Sequence, residues 1–189
     1  MKFNLKTKKE HLEFLILRFT SFVRNPDASD YNTTSLRCKL RDVGVYYLFL
    51  SFVICLCIVA LITFLQNIHL INSLEHVDKN MSWSKRILGA LILAPILEEG
   101  IFRYFLGPFR KASFFKWLYY FSSLVFGWIH FYNFHPDAAH NIFLPIITLP
   151  QTSLGFLLGY IRIMYGFWFA VMLHFLYNVI FVGLSFIFD

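Results

Sequence analysis

The sequence predicts an all-α fold: a polytopic membrane helix bundle with about five transmembrane helices and an N-terminal interfacial helix. Three observations predict it. Of the 189 residues, 58% are hydrophobic and only 15% are charged, where soluble domains carry ~25% charged residues. Five apolar stretches of about 19 to 24 residues suit the ~30 Å hydrocarbon core of a bilayer. None of them alternates at period two, which argues against a β-barrel.

The elements follow in chain order. Residues 1–42 form a basic cytoplasmic arm with Lys2, Lys6, Lys8, Lys9, Arg18, Arg24, Arg37, Lys39 and Arg41. Within it, "HLEFLILRFTSFVR" resembles a signal peptide only superficially. Glu13 and Arg18 interrupt the apolar run, no small-residue cleavage site follows, and the run is too short to span. An amphipathic helix on the inner membrane surface is expected there. Residues 43–189 form the helical membrane domain. Its spans are expected at Val43–Gln66, Ile87–Leu106, Phe114–Tyr132, Ile142–Ile161 and Tyr165–Phe188.

The net charge is +6, and the basic residues cluster before the first apolar run. Positive-inside anchoring explains this distribution without nucleic acid. Arg110, Lys111, Lys116 and Arg162 fall in loops on the same side as the arm, whereas residues 133–141 hold no Lys or Arg. The N-terminus is therefore expected in the cytoplasm and the C-terminus outside, although Lys85 and Arg86 run against that assignment. Cys38, Cys55 and Cys57 follow neither a zinc nor a disulfide spacing, and read as small apolar residues.

Ionisable residues at membrane depth cost ~2.5 to 3.5 kcal/mol on insertion scales, so each needs a partner or a use. In "APILEEGIFR", Glu99 and Arg103 stand four apart and share a helix face, which predicts an ion pair. Glu98 is turned about 100° away and lacks that partner. A carboxylate held away from water is a stronger proton acceptor, which assigns Glu98 to chemistry and Glu99 and Arg103 to fixing the helix. A buried charge cluster that only locks packing is the alternative. In "FGWIH", Gly127 permits close helix approach, which could bring His130 against another helix. In "HFLYN", His174 and Asn178 share one face of the fifth span, suited to interhelical hydrogen bonding or to a site. His69, His76, His135 and His140 fall in or beside loops and read as surface residues.

Two carboxylates, two imidazoles, a carboxamide and a guanidinium could converge in one bundle interior. Such a set can activate water and stabilise an oxyanion, and it includes ligand types that zinc accepts. The soluble zinc-protease signature His-Glu-x-x-His is absent.

"EEGIFR", "FGWIH" and "HFLYN" stand in the order of the three motifs of the CPBP family, Glu-Glu-x-x-x-Arg, Phe-x-x-x-His and His-x-x-x-Asn/Asp. The chain resembles this family of type II CAAX prenyl protease and bacteriocin-processing (Abi) proteins over residues 86–182. The resemblance implies an intramembrane endopeptidase in a bacterial cell membrane, acting on a peptide or membrane-associated protein. It implies that Glu98 and His130 activate the attacking water, that His174 and Asn178 stabilise the oxyanion, and that Glu99 and Arg103 support them. Relatives are often labelled metalloproteases. Glu98, His130 and His174 would be the ligands of a metal such as Zn2+, but the implied water activation needs none.

Only one span precedes the first motif, fewer than in many relatives, which leaves the substrate pocket reduced or completed by a partner. Two other functions fit the same residues: a non-catalytic bacteriocin-immunity or membrane-regulatory protein on this scaffold, and a small proton-relay or transport protein. One expectation conflicts with the rest. Glu98 and His174 fall near mid-membrane, whereas His130 falls near the outer end of its span.

Overall fold

The computed structural model describes residues 7–27, 34–72, 82–134 and 142–188. Lys2, Lys6, Glu75, His76, Asp78, Lys79, His135 and His140 lie outside them. Within the described residues the chain is helices and turns, with no β-strand. The longer helices are α1 (Lys8–Arg24), α2 (Leu36–Asn67), α3 (Ala94–Phe102), α4 (Phe115–Ile129), α5 (Leu149–Met164) and α6 (Phe167–Phe188).

Two helices are long and apolar enough to cross a membrane, α2 and the Phe167–Leu184 part of α6. Only 17% and 22% of their most apolar windows is buried inside the protein, so most of that surface faces outward. The core helix of a soluble protein does the opposite. Trp117, Phe121, Trp128 and Trp168 extend the same apolar exterior, each at least 65% exposed.

The other expected spans are shorter or interrupted, and five transmembrane helices are not borne out. The reasons are local. The 15-residue α4 and the 16-residue α5 reach only about 22 to 24 Å. Pro145 and Pro150 each start a helix, so the expected fourth span divides at Thr148 into a short helix, Leu144–Ile147, and α5. The second expected span starts as Trp83–Ile87, widens to a π-helical stretch, Leu88–Leu93, and continues as α3. Pro95 has no N–H to bond Leu91, and its ring crowds that carbonyl, which favours the wider turn before it.

Helix α5 is the axis of the bundle. Leu154, Leu157, Leu158, Tyr160 and Ile161 are buried, and α4 packs along them. The approach is close because Gly127 lies against Thr152: a Cβ there would stand 2.7 Å from the Thr152 Cα. Gly166, at φ 115°, makes the turn from α5 into α6 in a conformation that L-residues with a Cβ rarely adopt.

The amphipathic α1 begins with a capping box between Thr7 and Glu10. It packs Leu15, Phe19 and Phe22 into the same core rather than turning that whole face to lipid. Tyr47 donates to the Leu15 carbonyl at 3.3 Å, Tyr120 donates to the Val23 carbonyl at 2.8 Å, and His11 bonds Asp42 at 2.8 Å. The cysteines are free thiols: Cys55 is buried, Cys57 exposed and Cys38 between. His69 is exposed in the turn after α2.

Gly127→Ala forces α4 and α5 apart and is expected to cost about 1 to 3 kcal/mol. Gly100→Ala meets nothing within 4 Å and should leave stability unchanged or slightly raised. Thermal unfolding of both variants in nanodiscs checks this, and equal midpoints would contradict it.

Candidate active site

Three elements supply the polar side chains. Helix α3 carries Glu98 and Glu99 and ends at Phe102, so Arg103 is its C-cap rather than part of its interior. The Arg103 N–H still donates to the Glu99 carbonyl at 2.9 Å, which keeps the one-turn relation of the two side chains. Helix α4 ends at Ile129, and His130 opens a 3-10 turn. Helix α6 carries His174 and Asn178 one turn apart.

The deepest layer is charged. Glu99 and Arg103 have no exposed surface. Arg103 Nη1 stands 3.4 Å from Glu99 Oε1, the ion pair that four-residue spacing predicts. The same carboxylate oxygen accepts from His174 Nδ1 at 3.0 Å. The guanidinium also lies over the Phe126 ring, 3.6 Å from its centroid, and Nη2 reaches the Gly155 carbonyl at 3.5 Å. In this layer the ion pair, a cation–π contact and a hydrogen bond balance charges that would be costly to bury alone.

Phe126 also packs on both imidazoles. Its ring centroid is 4.8 Å from that of His130 and 5.8 Å from that of His174. Sequence reasoning gave it no role beyond the motif. Its four-residue spacing from His130 was the available signal.

The hydrogen bonds fix which imidazole nitrogens carry protons. His130 Nδ1 donates to the Phe126 carbonyl at 2.7 Å, since a carbonyl can only accept. His174 Nδ1 donates to the Glu99 carboxylate. In a neutral ring each Nε2 is then an acceptor. Both Nε2 atoms stand 3.9 Å from Glu98 Oε2. That is too long for a hydrogen bond, but two bonds of ~2.8 Å to one bridging water span it. Glu98 Oε2 is buried and has no hydrogen-bond partner in the protein.

Glu98, His130, His174 and Asn178 line one cavity of about 730 Å³. Its far wall is α2, through Val59, Ile62 and Thr63. The Asn178 amide donates to the Ala90 carbonyl in the π-helical stretch at 2.7 Å, so one of its two N–H groups is engaged there. All six expected residues come together, in two layers: Glu99 and Arg103 behind, the other four on the cavity. The expected depth mismatch of His130 is also accounted for. Helix α3 ends only four residues after Glu98, and the connection 103–114 makes up the difference in helix length before α4.

The donor types suit zinc, but their arrangement does not fit a zinc ion. Ligands at ~2.0 to 2.1 Å in a tetrahedral shell stand roughly 3.4 Å apart, closer than the 3.9 Å from Glu98 Oε2 to either Nε2. Among the described residues no group of three His, Cys, Asp or Glu side chains could hold a metal ion.

Fold and site together define a helical membrane protein with a buried acid–imidazole centre. The sequence matches the family model "Type II CAAX prenyl endopeptidase Rce1-like" over residues 80–180, more than half of the chain. The chain belongs to this family of membrane-embedded, CAAX-type intramembrane endopeptidases. Neither the search of curated proteins nor the search of solved structures found a match.

Glu99→Gln leaves Arg103 buried without its counter-charge, a loss of about 3 to 5 kcal/mol. It should lower both membrane yield and the thermal midpoint. Glu98→Gln, at the cavity, should keep both near those of the unaltered protein, and equal loss in the two variants would contradict the layered arrangement.

Proposed function

We propose that this chain is an intramembrane endopeptidase that hydrolyses a peptide bond with a water activated by Glu98 and His130. The substrate is a peptide or a membrane-associated protein that enters the cavity between α2 and α6. The reading is carried by the 3.9 Å approach of one partnerless carboxylate oxygen to two imidazole Nε2 atoms.

In the attack, the water gives a proton to Glu98 while its oxygen bonds the scissile carbonyl carbon. His130 Nε2 accepts the water's other hydrogen and orients it. The developing oxyanion accepts from Asn178, through the N–H not used by Ala90, and from His174 when its ring carries a second proton at Nε2. Glu99, already paired with Arg103, accepts from the opposite nitrogen and holds the ring in place, and the oxyanion itself offsets the charge of the second proton. When the C–N bond breaks, Glu98 returns the proton to the leaving amine. No metal is needed for these steps, because the base, the orienting acceptor and the oxyanion donors are all side chains.

The same reading seats residues 43–189 in the bilayer, with the N-terminus and the basic arm 1–42 in the cytoplasm. The two long helices cross fully. The shorter α3, α4 and α5 lie within the membrane and complete five passes with the turns that extend them. The apolar exterior and the basic residues of the arm support this seating.

Glu98→Gln should abolish cleavage of a reporter peptide in membranes, a loss of ~10²-fold or more expected for removing a general base. The protein should remain abundant. Full activity in that variant would overturn the proposal.

A further inference from the structure

We propose that Gln151 is a substrate-positioning residue that clamps the main chain of the substrate beside the scissile bond. This rests on the endopeptidase reading above and adds a residue that neither the three motifs nor the charge pattern marks.

Gln151 lies in the first turn of α5 and lines the same cavity as Glu98, His130 and His174. Its Oε1 is buried and has no hydrogen-bond partner in the protein. Its neighbours on α5 are engaged elsewhere: Thr152 packs under Gly127, three residues before His130, and Ser153 donates to the Pro150 carbonyl at 2.7 Å. On either side of Gln151, Pro150 and Leu154 give the cavity an apolar wall. A lone carboxamide in such a wall faces a cost unless something pairs with it.

The chemistry of a peptide inside a membrane supplies that partner. To expose a scissile bond, the substrate must give up helical hydrogen bonds around it, and each freed N–H or C=O is expensive away from water. A primary carboxamide has one acceptor and two donors. It can accept from a peptide N–H and donate to a peptide C=O, matching an extended main chain whatever its side chains are. Glu98 and the imidazoles are occupied with water and oxyanion. Among the other described residues on the cavity, Gln151 is the one with a buried side-chain atom that lacks a partner, which suits it to hold the main chain.

The test uses the full chain in nanodiscs with two reporters, a farnesylated peptide with a CAAX ending and a fluorescent transmembrane-helix peptide. On whichever is cleaved, successive amides around the cut bond are replaced by esters, which removes one N–H at a time. The proposal expects Gln151→Met to raise KM by ~tenfold, the scale of one buried hydrogen bond, with kcat within about threefold. One ester position should raise KM similarly in the unaltered protein and add nothing further in Gln151→Met. Should the methionine not pack, Gln151→Ser serves the same comparison. An unchanged KM, or an ester penalty identical with and without the carboxamide, overturns the proposal while leaving the endopeptidase reading intact. Failure to cleave either reporter, or cleavage that survives Glu98→Gln, overturns the endopeptidase reading beneath it.

Discussion

The shared carboxylate oxygen of Glu99 holds the site together. It pairs with Arg103 from its own helix and accepts from His174 on α6, and none of the three is in contact with water to any useful extent. In that setting each charge depends on the others. Arg103 in turn fixes α3 against α5 through the Gly155 carbonyl and against α4 through the Phe126 ring. Four helices therefore meet at one ion pair, and the positions of Glu98, His130 and His174 follow from it. A buried polar network of this kind favours the arrangement of helices that pairs its charges, whereas an apolar interior would tolerate several.

Two apparently secondary features serve the same end. The π-helical stretch before α3 leaves the Ala90 carbonyl to accept from Asn178, which ties the start of that helix to α6. The missing side chain at Gly127 lets α4 approach Thr152, and His130 sits one turn beyond that contact. The site is thus gripped at both ends of α3 and at the end of α4. Glu98, His174 and Asn178 lie within helices and His130 caps α4, so the four cavity residues sit on helical elements rather than on loops.

Much of this was legible in the sequence. Helical spacing separated Glu98 from Glu99, paired Glu99 with Arg103, and put His174 and Asn178 on one face. Local periodicity decides those relations, and the structure keeps them even though Arg103 lies at the cap. What the sequence left hidden depends on breaks in periodicity. Hydropathy reads an apolar run as a single span, so it could not register that Pro145 and Pro150 divide the fourth stretch, or that α3 and α4 are cut short. The level meeting of Glu98 and His130 follows from those shortened helices. Gln151 gave no comparable signal, because it lies inside the expected fourth span as one uncharged residue that belongs to no motif.

The central claim is that Glu98 and the two imidazoles surround one water rather than each other or a metal ion. A high-resolution structure of the protein in nanodiscs tests it most directly. The account predicts an ordered water within ~2.6 to 3.2 Å of both Glu98 Oε2 and His130 Nε2. A direct hydrogen bond between Glu98 and either imidazole, or a metal ion in the water's position, would contradict it.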